Sequence, residues 1–473
     1  MTLCELKCNF LEEIIMKVTV IGAGPGGYEA ALYAAKHGLE VTLIEKDELG
    51  GTCLNRGCIP AKALLAVSDH LAEIREADQF GITVPEGTSF DFPSIFERKD
   101  KVVSTLTGGI GYLMQANNVK VLNGYGTIKD RKHVEVTLNN GEKVVEETDK
   151  IIIATGSVPS VPPIFTCDGK KIITSDEILS LKDQPESIII IGGGVIGCEI
   201  AQFFARLGTK ITIIEMMPHI LPNEDKDVIR PLEKQFRKDG IKVLCSKGVE
   251  KLETTENGVT ASINDGSTIE GSIALVCVGR KPATRNIGLE NIGLETDRRG
   301  IIPVDSHMET PVPGIYAIGD VVASAQLAHV ASYEAFVAVD NIIGETREAE
   351  YHAIPRCVYT TPEIAGVGLT ETEAAEKGIS VKTGRYDFMG LGKAKASGKT
   401  EGFVKVLVGE DDTILGGAVV GAHGTELLEA ITLSVHLRLS AKQVGNTIFP
   451  HPTMGEAIME ALHDVHGLSV HKA

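Results

Sequence analysis

The chain is predicted to be an α/β protein built on two strand–helix–strand units, and two observations predict it. Residues 18–45 recur in outline at 188–215, and the composition is rich in glycine (51 residues) while aromatics make up 5% and tryptophan is absent. Layers of helix on parallel strand, joined by glycine-rich turns, suit that balance better than an aromatic-rich binding surface does. At 473 residues the chain is long enough for several domains, each with its own core.

The first unit opens with the apolar run Val18–Ile21, which reads as a buried strand. Gly22, Gly24 and Gly27 follow, then a helical pattern, then a second strand, Val41–Glu45, ending in an acid. The second unit repeats each part: Ile188–Ile191, then Gly192, Gly194 and Gly197, then Ile211–Glu215. Glu29 falls opposite Glu199, and Gly38 opposite Gly208. This is the dinucleotide-binding βαβ (Rossmann-like) pattern. Its first glycine permits the tight turn, the second lets backbone approach a pyrophosphate, and the third lets helix pack on strand. The pyrophosphate sits at the positive helix N-terminus. One such pattern is a weak signal; two in register, each with its acid, predict two bound dinucleotides. A carboxylate at the end of the second strand accepts from both ribose hydroxyls and repels a 2′-phosphate. Glu215 is followed by Met216, Met217 and Pro218, with no Arg to receive a phosphate, so NAD rather than NADP is expected there.

Between the two units lies Gly50–Lys62, Gly-Gly-Thr-Cys-Leu-Asn-Arg-Gly-Cys-Ile-Pro-Ala-Lys, with four residues between Cys53 and Cys58. That spacing is too long for the Cys-x-x-Cys of a zinc knuckle or a thioredoxin-like site, and no metal is expected. Five steps of a straight helix cover roughly 7.5 Å, beyond the roughly 4.4–6.8 Å between the Cα atoms of a disulfide. An oxidised pair therefore requires distorted backbone, and strained disulfides are the more reducible ones. A flavin is the natural redox partner of a dithiol, which assigns FAD to the first site, with Glu45 as its acid.

Net charge is −18, from 46 basic and 64 acidic side chains, and no basic stripe stands out, so the footprint of a nucleic-acid binder is missing. Nine cysteines, mostly scattered, do not form a secreted disulfide framework. Cys167, Cys198, Cys245, Cys277 and Cys357 are expected to be reduced structural thiols. Residues 1–15 read as an N-terminal extension holding Cys4 and Cys8, with no positive n-region or long apolar run to make a signal peptide. No stretch is long and apolar enough to span a membrane, and a cytoplasmic protein is expected.

Taken together, Cys53–Pro60, the doubled glycine pattern, Ala154-Thr155-Gly156, Tyr316–Asp320 and His451–Glu456 resemble the pyridine nucleotide–disulfide oxidoreductases. The resemblance runs from about residue 16 to near the C-terminus and is nearest to members that oxidise dihydrolipoyl groups. It implies an FAD domain in two segments (16–157 and 281–350), an NAD domain at 158–280 and an α+β dimerisation domain at 351–473. The Pro-rich stretch Val158–Pro163 and Gly279–Pro282 fit the two crossings. It also implies a homodimer, its active site completed across the interface, and a lipoyl-bearing protein of a 2-oxoacid dehydrogenase or glycine cleavage system as partner. By the same resemblance Cys53 exchanges with the substrate dithiol and Cys58 is the sulfur beside the flavin. His451, supplied by the other subunit, is the base, and Glu456 orients it. Asp320 would bond the flavin ribityl chain, with Gly126, Thr155, Gly156, Gly319 and Ala328 also lining the FAD site. Lys62 and Glu199 would pair near the reactive flavin nitrogen, and Val249 and Gly279 would flank NAD.

Ala61, Val330, Phe449-Pro450 and Gly455 depart from the family pattern without removing a reacting group; they bear on the shape of the substrate channel. Glutathione reductase would want an Arg near Glu215, and mercuric reductase a cysteine pair near the C-terminus. The alternatives carried forward are an NADH-dependent reductase of another small disulfide and a non-catalytic, redox-sensing flavoprotein subunit.

Overall fold

The computed structural model describes residues 15–472, so Cys4, Cys8 and nearly all of the 1–15 extension lie outside the described residues. The chain folds into two compact units, one taking the residues up to Asn55 with Thr105–Val158 and Lys281–Ala349, the other Arg56–Ser104, Pro159–Arg280 and the residues from Glu350 on.

The first unit is built on a seven-stranded sheet. Lys17–Ile21 lies inside it, parallel to Glu40–Glu45 on one side and to Lys150–Ile153 on the other. Registers such as Val18↔Val41 and Ile21↔Ile44 set apolar residues side by side, as strands buried on both faces require. Ile315–Ala317 extends the parallel part beyond Lys150–Ile153, while Lys120–Asp130, His133–Leu138 and Lys143–Glu147 continue the other edge, the last two antiparallel. Helix Pro25–Lys36 crosses from the first strand to the second and packs against helix Ala328–Ile342. Gly26 makes this approach close: a Cβ there would stand 3.0 Å from the Ala331 carbonyl. Tyr33 donates to Asp340 across the same seam at 2.9 Å.

The second unit repeats the βαβ arrangement. Ser187–Ile191 is flanked by the parallel strands Lys210–Ile214 and Ile273–Val276, with Lys242–Leu244 and Ile172–Ile173 at the edges. Helix Val195–Arg206 links the two central strands, and helix Cys58–Arg75 packs on it. Val249–Thr254, Val259–Ile263 and Thr268–Gly271 form a small antiparallel sheet. The C-terminal part is an antiparallel five-stranded sheet in the order Arg356–Val358, Glu363–Gly368, Ile414–Gly421, Gly402–Val408, Lys382–Asp387. Helices Gly424–His436 and Glu456–Asp464 pack on it. One apolar cluster runs through this unit, from Leu64, Phe203 and Phe204 to Val358, Phe403 and Val420, so the helix that begins at Cys58 shares a core with the C-terminal sheet. No helix among the described residues is long and apolar enough to cross a membrane.

Candidate active site

The two glycine turns have nearly the same geometry. Gly22 and Gly192 hold φ of +103° and +112°, and a Cβ on either would collide with a carbonyl, of Ala154 at 2.3 Å and of Cys277 at 2.5 Å. Only glycine tolerates both conditions. A Cβ at Gly27 or Gly197 would lie 1.8 or 2.1 Å from the carbonyl oxygen of the first glycine of its own turn, so helix and strand touch there. Gly24 and Gly194 differ: nothing lies within 4 Å of where their Cβ would be. Their bareness leaves open space at a helix N-terminus, the cradle a pyrophosphate fills.

The two acids also match. Glu45 is buried, with Oε2 accepting from the Ala23 N–H at 2.7 Å and Oε1 from the Asp47 N–H at 2.8 Å. Glu215 accepts from Gly193 N–H at 2.6 Å and Met217 N–H at 2.7 Å. Each carboxylate is thus fixed against its turn while lone pairs remain for ribose hydroxyls, since an ionised carboxylate offers about four acceptor positions.

Around the first turn, the buried Thr155 hydroxyl has no hydrogen-bond partner, as expected where a polar ligand supplies one. Gly156, at φ +67°, follows it. Asp320 accepts from the Ser157 hydroxyl, and the Gly319 N–H is held at 2.6 Å by the fully buried Glu334 carboxylate. Ala328 opens helix Ala328–Ile342. The space a side chain at Gly126 would take is narrowed by Ile21 and Ile44, 3.2 and 3.3 Å from its Cβ position, so strand packing accounts for this glycine. An open cradle, an anchored acid and an orphaned hydroxyl fit a dinucleotide such as FAD.

Cys53 sits in helix Gly51–Arg56, whose first residue abuts the turn: a Cβ on Gly51 would be 2.6 Å from Gly24 Cα. The Asn55 amide donates to the carbonyls of Leu49 (3.0 Å) and Gly51 (2.9 Å), tying the half-buried Cys53 to this geometry. The helix ends at Arg56, Gly57 adopts φ −142° and ψ −116°, and a new helix starts at the exposed Cys58. The expected break in the helix between the two cysteines is present.

In the second unit, Lys62 Nζ donates to both oxygens of the buried Glu199, at 2.9 and 2.8 Å. Tyr359 completes this group: its N–H donates to Glu199 Oε1 at 3.0 Å, and its ring lies 4.4 Å below the Lys62 ammonium. Burial, then the nearby Cys357 and acids, push the Tyr359 hydroxyl up to about 12, so it stays protonated. Sequence reasoning placed Tyr359 in the last domain without linking it to this pair; 160 residues separate it from Glu199, and no local spacing signals the contact. Gly279 is exposed at φ +127° with its carbonyl accepting from Ser160 N–H at 2.9 Å. Val249 packs its side chain into a cluster with Ile191 and Ile214.

His451 and Glu456 come together as the family resemblance implies, with His451 Nδ1 2.8 Å from Glu456 Oε1. The other carboxylate oxygen accepts from Thr453 N–H at 2.9 Å, a support the sequence reading did not identify, and the Thr453 hydroxyl donates to the Pro450 carbonyl at 2.8 Å. A carboxylate only accepts, so Nδ1 carries the ring proton and Nε2 keeps its lone pair. Burial pushes the Glu456 carboxyl up, but the His451 ring and the Thr453 N–H outweigh it and hold it below the usual range.

Among the described residues, Cys167, Cys198, Cys245, Cys277 and Cys357 are outside any disulfide. Burial raises all five thiols, Cys277 to about 12 and Cys357 to about 11, which leaves them poor nucleophiles.

Comparison with known proteins agrees with this geometry. Curated relatives include a dihydrolipoyl dehydrogenase of Chlamydia muridarum, 42% identical over 445 residues (93% of this chain, 95% of the relative). Another, from Bacillus subtilis, is 41% identical over 469 residues (96% and 98%). Among solved structures, LpdA of Mycobacterium tuberculosis superposes with a TM-score of 0.90 at 29% identity, covering 95% of this chain and 99% of that one. The HOCl-induced flavoprotein disulfide reductase RclA of Escherichia coli gives 0.84 at 28%, covering 94% and 99%. Residues 354–462 match the dimerisation-domain model of the pyridine nucleotide-disulphide oxidoreductases. With residues 16–335 matching that family's principal model, the chain belongs to the pyridine nucleotide-disulphide oxidoreductases.

Proposed function

We propose that the chain catalyses the dihydrolipoyl dehydrogenase reaction: it oxidises a protein-bound dihydrolipoyl group to its cyclic disulfide and reduces NAD⁺. The observation that carries this reading is the Cys53–x₄–Cys58 motif beside one of two matched nucleotide turns, in a chain whose dihydrolipoyl dehydrogenase relatives align over more than nine-tenths of its length. The FAD-binding domain comprises 16–157 and 281–350, the NAD-binding domain 158–280 and the interface domain 351–473. The working form is a homodimer in the cytoplasm, and the substrate arm belongs to a 2-oxoacid dehydrogenase or glycine cleavage system.

Thiol–disulfide exchange needs a thiolate. His451 Nε2 takes the proton of one substrate thiol, and the resulting sulfur attacks Cys53 Sγ of the Cys53–Cys58 disulfide. Cys58 leaves as the thiolate. The second substrate sulfur then attacks the first, breaking its bond to Cys53; Cys53 leaves with the second thiol's proton, and the product departs with its own disulfide closed. Glu456 stabilises the imidazolium formed in the first step and holds the ring's orientation, the triad logic in a Glu–His–thiol setting. FAD, held at the first glycine turn, would supply the two-electron redox chemistry that links the reduced dithiol to NAD⁺. Gly24 and Gly194 admit the two pyrophosphates, Glu45 and Glu215 take the ribose hydroxyls, and Asp320 and Thr155 hold the flavin side. Lys62, fixed by Glu199 and Tyr359, would supply a single fixed positive charge to the flavin chemistry.

Anaerobic turnover of the holoenzyme with dihydrolipoamide, followed by NADH absorbance with NAD⁺ and NADP⁺ compared, tests the reading. Fast, NAD⁺-specific reduction is expected. Cys53→Ser and Cys58→Ser should each abolish it while NADH–dye activity survives. Flavin that NADH reduces but dihydrolipoamide does not would instead favour the reductase of another small disulfide, the reading towards which the likeness to RclA leans.

A further inference from the structure

Beyond the Lys62–Glu199 pair, the same two helices meet again through residues that take no part in the chemistry. Glu199, Gln202 and Arg206 fall on one face of helix Val195–Arg206, three and four residues apart. Lys62 and Asp69 lie about two turns apart on helix Cys58–Arg75. The helices are therefore joined twice, by Lys62 with Glu199 and by Asp69 with the buried Arg206. Residues 359–361 meet both joints. The Tyr359 N–H donates to Glu199 Oε1 at 3.0 Å. The Thr361 hydroxyl donates to Asp69 Oδ1 at 2.7 Å and accepts from the Arg206 guanidinium at 3.2 Å.

Gln202 lies between the joints and is fully buried. Its Oε1 accepts from the Thr361 N–H at 2.6 Å, and its Nε2 donates to the Thr361 carbonyl at 2.8 Å. One side-chain amide thus closes both backbone bonds of one residue, as a neighbouring strand would. Nε2 also donates to Asp239 Oδ2 at 3.1 Å. These contacts fix the amide's orientation, because a flipped group would turn its NH₂ onto the Thr361 N–H.

We infer that Gln202, with Asp69 and Arg206, positions Lys62. The three side chains hold Thr361, and Thr361 holds Tyr359, whose N–H and ring fix the Glu199 carboxylate and the Lys62 ammonium. They are positioning residues, and the inference rests on the reading of Lys62 as a charge serving the flavin chemistry. Cys58 begins the helix that carries Lys62, so one lock serves both the cysteine and the charge. The βαβ unit does not itself call for the amide: Leu32 stands opposite Gln202 in the first repeat. A buried amide where the matching helix has a leucine is explained by the backbone it holds, since its loss orphans the Thr361 N–H and carbonyl.

The test uses holoenzyme, with Lys62→Met as the reference for a lost charge. Gln202→Met conserves volume and removes all three amide bonds. Thr361→Val removes only the hydroxyl, and Thr361→Ser keeps it. Two quantities are read under anaerobic conditions: the rate at which dihydrolipoamide bleaches the flavin, and the long-wavelength thiolate–flavin absorbance per bound FAD after partial reduction. Gln202→Met and Thr361→Val should each slow bleaching by about 2–10-fold, the worth of a hydrogen bond, and weaken the band in the direction of Lys62→Met. Thr361→Ser should match wild type. A merely structural role would lower stability or FAD content and leave rate and band per bound FAD unchanged; that result would overturn the inference. So would a Thr361→Ser protein as impaired as Thr361→Val. If Gln202→Met does not fold, the two Thr361 variants decide. Wild-type rate and band in Lys62→Met would overturn the reading of Lys62 and the inference with it, a pattern distinct from a change confined to Lys62→Met, which overturns the inference alone.

Discussion

A base that collects a thiol proton near neutral pH must be neutral before the step and stable once charged, and a lone exposed imidazole meets only the first condition. His451 has its side chain 77% exposed, yet its Nδ1 is tied to Glu456, which is itself tied to the Thr453 N–H. Because the Glu456 carboxyl is held below the usual range, it is ionised throughout the pH region in which an imidazole titrates. Its charge stabilises the positive charge the ring takes up in the step. Glu456→Gln removes that charge while keeping a neutral acceptor, so the plateau of kcat/KM for dihydrolipoamide should fall. His451→Gln should cost about 10²–10⁴ in turnover, the worth of general acid–base catalysis, and Glu456→Gln less than that. Turnover measured on both variants decides the point: an unchanged rate in Glu456→Gln would separate the carboxylate from the base.

At the scale of elements, one buried lysine joins three of them. Lys405, on strand Gly402–Val408, is 3% exposed at its side chain and bonds Asp225, Asp227 and Glu371. Asp225 also accepts from the Glu371 and Thr372 N–H groups at 2.9 and 3.1 Å, so it links the start of helix Lys226–Lys238 to helix Glu371–Glu376. Removing one partner of a buried ion group costs about 3–5 kcal/mol. Asp227 and Glu371 keep 31% and 43% of their side chains in water, so Lys405→Met should fall near the lower end, read as a shift in urea midpoint at pH 7. The pH dependence has two signs. Burial raises the Asp225 carboxyl, but the Glu371 N–H, Lys405 and Thr372 outweigh it, and the net value is lowered. Its contribution is present above the unfolded value of about 3.9 and is lost as pH falls through the lower folded value. Burial lowers Lys405, but Asp227, Asp225 and Glu371 outweigh it, and the net value is raised. Its contribution is present below about 10.4 and is lost as pH rises through the raised value. In Lys405→Met both limbs should flatten. None of this network could be read from the sequence, since its carboxylates lie 180, 178 and 34 residues from Lys405. The glycine turns were legible because each confines its steric demand to a few consecutive residues, and His451–Glu456 because five residues separate the pair. Tyr359 on Glu199 was not, because that contact exists only once helix Val195–Arg206 and the C-terminal sheet share a core.

For the whole molecule, the informative surface is the one a single chain leaves uncovered. Ile448 is 99% exposed, three residues before His451, and Leu433 and Leu437 are 51% and 60% exposed on and just beyond helix Gly424–His436. All lie within the segment matching the family's dimerisation domain. Large apolar side chains in water next to a catalytic histidine fit a surface that a second copy covers. We propose that across such a two-fold interface each His451 serves the partner's disulfide. Subunit mixing tests that directly. Homodimers of Cys53→Ser should be inactive with dihydrolipoamide, and those of His451→Gln slowed by about 10²–10⁴. If base and disulfide come from different subunits, a mixed dimer has one site with both groups intact and one site with neither. Random reassortment of equal amounts makes half the dimers mixed, each with one of two sites working, so activity should return to about a quarter of the wild-type value. If each chain serves its own site, every site in the mixed dimer lacks one group and activity stays at the level of the separate variants. Mixing after denaturation and refolding with added FAD, with a wild-type sample taken through the same cycle as the reference, separates the two arrangements by the presence or absence of recovery.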